Sequence, residues 1–156
     1  LVVAALVSVA SLLIAIEYFG GQPMGLFAGS RPAVLGFNGG KFAPPSWKPN
    51  CVSSTVEKSD SHYIDPIKFG GTATDAWKKL AGLMRATARV TIVTEKSDYL
   101  YAEFKTAGMG FVDDVEFALD EKAGVIHVRS ASRLGVRDFN VNRNRIEGLR
   151  SAMQKT

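Results

Sequence analysis

The sequence predicts an α+β domain: a two-layer sandwich in which a four-stranded antiparallel sheet packs under two helices, preceded by an N-terminal transmembrane helix and an irregular linker. Three observations carry that reading. Four β-branched and aromatic runs, separated by short polar turns, fill residues 89–132. An apolar stripe of helical period flanks them on each side. An uncharged run occupies residues 1–16, and a stretch dense in Gly and Pro follows it. The boundaries that follow are 1–19 for the membrane helix, 20–50 for the linker and 51–156 for the globular domain.

Residues 1–16 contain only Leu, Val, Ala, Ile and two serines. At ~1.5 Å per residue the run spans about 24 Å, somewhat less than a hydrocarbon core of about 30 Å. Tyr18 and Phe19 follow it as an interfacial aromatic belt. The core of a signal peptide and a buried helix are the competing readings. A lone N-terminal anchor ahead of a compact domain places that domain on the extracytoplasmic side, periplasmic or lumenal.

From Gly20 to Pro49 the glycines and prolines recur too often for a long helix or strand. Leu26, Phe27, Val34, Leu35, Phe37 and Phe42 make the stretch a clinging segment, laid on a membrane, on the domain or on a neighbour. A single cysteine, Cys51, excludes an intrachain disulfide and a cysteine-built zinc site. It reads as a buried structural thiol, because neither His62 nor His127 has a local spacing that would activate it.

Thr74 or Asp75 is the expected N-cap of a helix running to about Arg85, with Trp77, Leu80, Ala81, Leu83 and Met84 as its apolar stripe. The four strands then run over residues 89–94, 99–106, 111–119 and 125–132. Alternation puts Leu100, Ala102 and Phe104 on the core face, with Tyr99, Tyr101 and Glu103 opposite. It likewise sends Asp114 and Glu116 outside and Asp113 inward, where a carboxylate needs an arginine from the 133–145 stretch. Asn140 or Asn142 caps a closing helix to about Gln154, with Ile146, Leu149, Arg150 and Met153 on successive turns.

The net charge of +4 and pI near 9.3 suit an anionic membrane surface or an acidic partner. No aromatic-rich basic motif accompanies the charge, so nucleic acid is not an expected partner.

Asp113, Asp114, Glu116, Arg129, Arg133, Arg137, Asp138, Asn142, Arg143 and Arg145 form the densest polar set. The leading reading is a structural network of arginine–carboxylate pairs, with Asp114 or Glu116 set opposite His127 or Arg129. Three others are open: an anion pocket at the arginines and the helix start near Asn142, a metal site from the acids plus His127, and hydrolysis by paired carboxylates. Alternation throws adjacent Asp113 and Asp114 to opposite faces, which disfavours the last. No cofactor is expected.

Five blocks then point to a family. Pro49-Asn-Cys-Val-Ser-Ser54, His62-Tyr-Ile-Asp-Pro66, Gly110-Phe-Val-Asp-Asp-Val-Glu-Phe117, Val128-Arg-Ser-Ala-Ser-Arg133-Leu-Gly135 and Asn142-Arg143 with Arg145-Ile-Glu147 resemble, in order, the bacterial and chloroplast family known as domain of unknown function 1499. The resemblance covers roughly residues 35–155 and implies a small protein, often membrane-anchored or exported. Members often carry a second cysteine shortly before the one matching Cys51; here that stretch is Ala43-Pro-Pro-Ser-Trp. Asn140 stands where a glycine is common, and asparagine tolerates the same left-handed geometry.

The expected function is a non-catalytic, membrane-anchored accessory subunit of a larger membrane complex, respiratory or photosynthetic, with integral membrane subunits and the bilayer as partners. The alternative is an extracytoplasmic ligand- or anion-binding domain, possibly hydrolytic, using Arg129, Arg133, Arg143 and Asp113.

Overall fold

In a computed structural model, residues 27–155 are described. The expected membrane helix over residues 1–19 lies outside them; among the described residues no helix is long and apolar enough to cross a membrane. The elements run β1 (Cys51–Ser53), β2 (Ile67–Lys68), α1 (Ala73–Ala86), β3 (Val90–Glu95), β4 (Tyr99–Lys105), β5 (Val112–Asp120), β6 (Val125–Ser132) and α2 (Val141–Gln154).

The sheet is antiparallel throughout and has six strands rather than the four expected. The meander β3-β4-β5-β6 is as the alternation predicts. The two additional strands both pair with the outer edge of β6: Cys51 opposite Ala131 near its end, Ile67 opposite Ile126 near its start. Each is too short for a repeat of period two to register in the sequence. Together they cover an edge that would otherwise present open backbone groups.

Both helices pack on one face. Leu80 and Met84 of α1 and Ile146 of α2 close over Leu100, Ala102, Val115, Phe117, Ile126 and Val128, all buried. Each of these side chains other than Ala102 contributes roughly 1.5–3 kcal/mol by leaving water. Trp77 joins them and donates its indole N–H to the Lys96 carbonyl at 2.9 Å, which ties α1 to the β3–β4 turn.

The cap of α1 is Thr72, slightly before the expected Thr74 or Asp75. Its hydroxyl accepts from the Asp75 amide and donates to the Asp75 carboxylate at 2.7 Å. At α2 the residue before the first turn is Asn140, in the left-handed region at φ 65° with no side-chain bond to the helix. Asp138 takes over the capping work: it accepts from the amides of Asn140 and Asn142 at 3.1 and 3.0 Å.

Candidate functional site

The second face of the sheet was expected to be outside. Asp114 and Glu116 do point away from the helices, but they are 1 % and 0 % exposed. The cover is residues 27–43, laid across β4, β5 and β6. Phe27 stacks on Phe111 at 5.1 Å, Phe37 stacks on His127 at 5.5 Å, and Phe37 meets Phe42 edge-on at 4.9 Å. Buried carboxylates need partners, and each acid under the cover has them.

Glu116 accepts from the Gly36 amide at 2.7 Å, the Tyr99 hydroxyl at 2.8 Å and Arg129 Nη1 at 3.3 Å. Arg129 sits directly opposite it in the β5–β6 register and spends its Nε on the Ala43 carbonyl. Asp114 is gripped side-on by Arg133, whose Nε lies 3.0 Å from Oδ2 and Nη2 2.7 Å from Oδ1, and it accepts the Tyr101 hydroxyl at 2.6 Å. Arg133 continues to Glu103 at 2.5 Å, and Glu103 is met from the cover by Arg31. Three acids (Glu103, Asp114, Glu116) therefore face three arginines (Arg31, Arg129, Arg133), and the charges cancel.

Burial and then the hydrogen bond to Glu116 hold the Tyr99 hydroxyl far above its ordinary pKa; burial and then Asp114 do the same for Tyr101. For Glu103, burial pushes upward, but the bonds from Arg31 and Arg133 outweigh it and leave the carboxyl below its usual range. Arg133 is raised: burial lowers it, and the bonds to Asp114 and Glu103 overcome that.

A second network lies on the helix side. Arg145 pairs with Asp113 at 2.5 Å, the inward carboxylate that required an arginine, and its guanidinium lies 4.6 Å from the Phe104 ring centre. Asn142, fully buried, accepts from Ser130 Oγ at 2.6 Å and Arg145 Nη1 at 2.7 Å. Its amide group donates toward the Asn50 carbonyl, Ser132 Oγ and the Asp138 carboxylate at 2.9–3.0 Å. Among the described residues Arg143 makes no ion pair; it donates to the carbonyls of Ser61 and Tyr63 and pins that loop to α2. Arg137 is exposed.

Cys51 is buried, and desolvation pushes its thiol up to about 11. It shares the lining of a cavity of about 110 Å³ with His62, Asp138 and Arg143. His62 spends one ring nitrogen on Asp60 at 2.8 Å and the other on the Lys48 carbonyl at 3.0 Å, leaving neither to act as a base toward sulfur. Among the described residues no group of three or more His, Cys, Asp or Glu side chains converges as a metal site.

Of the sequence-predicted residues, the fold joins Asp114, Glu116, Arg129 and Arg133 on one face and Asp113, Asp138, Asn142 and Arg145 on the other. Tyr99, Tyr101, Glu103, Arg31 and Asn50 also belong to these networks and were not among the sequence-predicted site residues. Tyr101 and Glu103 were legible in principle, because β4 sets Tyr101 opposite Glu116 and Glu103 opposite Asp114.

The fold and these networks define a small α+β domain that is helix-packed on one face of its sheet and strapped by its own N-terminal segment on the other. A family model described as protein of unknown function (DUF1499) matches residues 41–153, and the chain belongs to that family. No curated protein and no solved structure matches it.

Proposed function

We propose that the protein is a non-catalytic, membrane-anchored accessory subunit, with its domain on the extracytoplasmic side of a larger membrane complex, respiratory or photosynthetic. The observation that supports this reading is the mutual satisfaction of Asp113, Asp114, Glu116, Arg129, Arg133 and Arg145, each of which is paired with a partner of opposite charge. A catalytic acid or base must reach a substrate proton, and these carboxylates reach arginines and tyrosines instead. The uncharged run over residues 1–16 supplies the anchor.

The ligand-binding alternative draws on an open groove of about 870 Å³ lined by Arg31, Arg89, Thr106 and Arg133 among others. Two of those cations, Arg31 and Arg133, are already committed to Glu103 and Asp114.

Purification from native membranes in mild detergent tests the proposal. The expected result is co-migration with integral membrane subunits in fixed stoichiometry. A chain that runs alone, or that washes off membranes with salt, overturns it.

A further inference from the structure

The exposed apolar side chains are not spread evenly. Of the nine large ones among the described residues, six are Phe27, Met109, Leu134, Val136, Phe139 and Val141. The fold brings all six to one end of the sheet, where β4 ends, β5 begins and β6 hands over to α2. Met109 belongs to the β4–β5 connection, and Leu134, Val136 and Phe139 to the β6–α2 connection. Val141 opens α2, whose Asn142 is bonded to Ser132 at the end of β6. Phe27 reaches the same end through its stack on Phe111, and a Cβ on Gly29 would stand 3.1 Å from Leu134.

Backbone geometry singles out the same end. Among the described residues the three non-glycine positions with positive φ are Arg89, Phe139 and Asn140, and Arg89 bonds across to Lys105 at the close of β4. Phe139 is held at φ 52° and is 90 % exposed, so an aromatic ring is presented to the surroundings at a backbone cost. The charge is also one-sided. Arg89 and Arg137 are exposed here, while the nearby acids are turned inward: Glu103 to Arg31 and Arg133, Asp113 to Arg145, and Asp138 to the start of α2.

The chain itself says what meets this surface. Twenty-six residues precede Phe27, and the first sixteen carry no charge. The ten residues between that run and Phe27 span at most about 36 Å when fully extended. The end of the sheet that bears Phe27 is therefore the end tethered to the apolar run.

The geometry points to a lipid-docking face: Met109, Leu134, Val136, Phe139 and Val141 enter the interfacial layer of a bilayer, and Arg89 and Arg137 meet anionic headgroups beside them. Apolar anchors ringed by cations are the pattern that binds such surfaces. The inference rests on the membrane-anchored reading and goes beyond it, because it fixes which side of the domain faces lipid.

The test places an environment-sensitive fluorophore at residue 139 through Phe139→Cys, at residue 109 through Met109→Cys, and, as a control in the middle of edge strand β3, at residue 93 through Val93→Cys. Each full-length chain is reconstituted into vesicles of phosphatidylcholine with phosphatidylglycerol. Native Cys51 is buried and does not compete for the label. The expected result is blue-shifted emission at 139 and 109, quenched by nitroxide-labelled lipid, with aqueous emission at 93. Aqueous emission at all three positions in a chain that floats with the vesicles overturns the docking face and leaves the anchored reading standing. The same result holds against lipid if burial at 139 and 109 appears only in the purified native complex, where the occupant is then a protein subunit. A chain that does not float with vesicles overturns both.

Discussion

Replacing Arg133 with methionine removes the guanidinium that grips Asp114 and bridges to Glu103. The consequences differ for the two acids. Glu103 keeps Arg31 and is one-fifth exposed on its side chain, so it loses little. Asp114 is 1 % exposed and keeps only the Tyr101 hydroxyl at 2.6 Å. Leaving a buried charge without its ion partner costs about 3–5 kcal/mol, and the retained tyrosine places this case near 3 kcal/mol. The double substitution Asp114→Leu with Arg133→Met removes both charges, and Tyr101 then turns its proton to Glu103, already 3.1 Å away. Paired removal of a buried ion pair is commonly near neutral, so the double variant is expected within about 1 kcal/mol of the wild type. Urea unfolding in detergent, followed through buried Trp77, reads both. A single variant that loses under about 1 kcal/mol, or a double variant as unstable as the single, refutes the view that the pair exists chiefly to satisfy itself.

Four further outcomes follow from the same contacts. Glu103 has a lowered folded pKa, so its contribution is present above the ordinary glutamate value of about 4.3 and is lost as pH falls through the lower folded value. The stability gap between wild type and Glu103→Gln is therefore expected to hold at neutral pH and to close on acidification; a gap that stays constant down to acid unfolding contradicts this. Tyr99 and Tyr101 have raised folded pKa values, so the stability they carry is full below about 10 and is lost as pH rises beyond it. Ultraviolet titration should show these two tyrosines ionising only together with alkaline unfolding. At the start of α2, Asn140→Gly is expected to be neutral or stabilising by up to about 1 kcal/mol, because φ 65° suits glycine and the asparagine side chain makes no cap. Asn142→Ala, by contrast, strands five partners and is expected to cost about 3 kcal/mol in the same unfolding assay.

The parts of this fold that were legible are those carried by local periodicity. Leu100, Ala102 and Phe104 declared the inner face of β4, and β-branched alternation declared β3, since both signals repeat within six or seven residues. Asp113 was legible because a carboxylate among core positions demands a partner, and Arg145 supplies it. β1 and β2 were not legible: with three and two residues they have no period, and only the open edge of β6 gives them a place. The burial of Asp114 and Glu116 was hidden for a different reason. It comes from a cover whose Arg31, Gly36 and Ala43 bond to Glu103, Glu116 and Arg129 across 72–86 positions, and no local pattern encodes a contact at that range. The Phe27, Phe37 and Phe42 rings were visible as a clinging segment, but what they cling to emerged only with the structure.

Residues 27–43 cover a self-neutralised set of charges, and the other assignments depend on that cover. The Gly36 amide tests it most directly, since it donates to Glu116 at 2.7 Å from a stretch with no strand or helix of its own. Residue-resolved hydrogen exchange on the full-length chain should show that amide protected to a degree comparable with the β5 amides, with protection lost in Glu116→Ala. Exchange at the rate of an open loop in the wild-type chain would contradict the account.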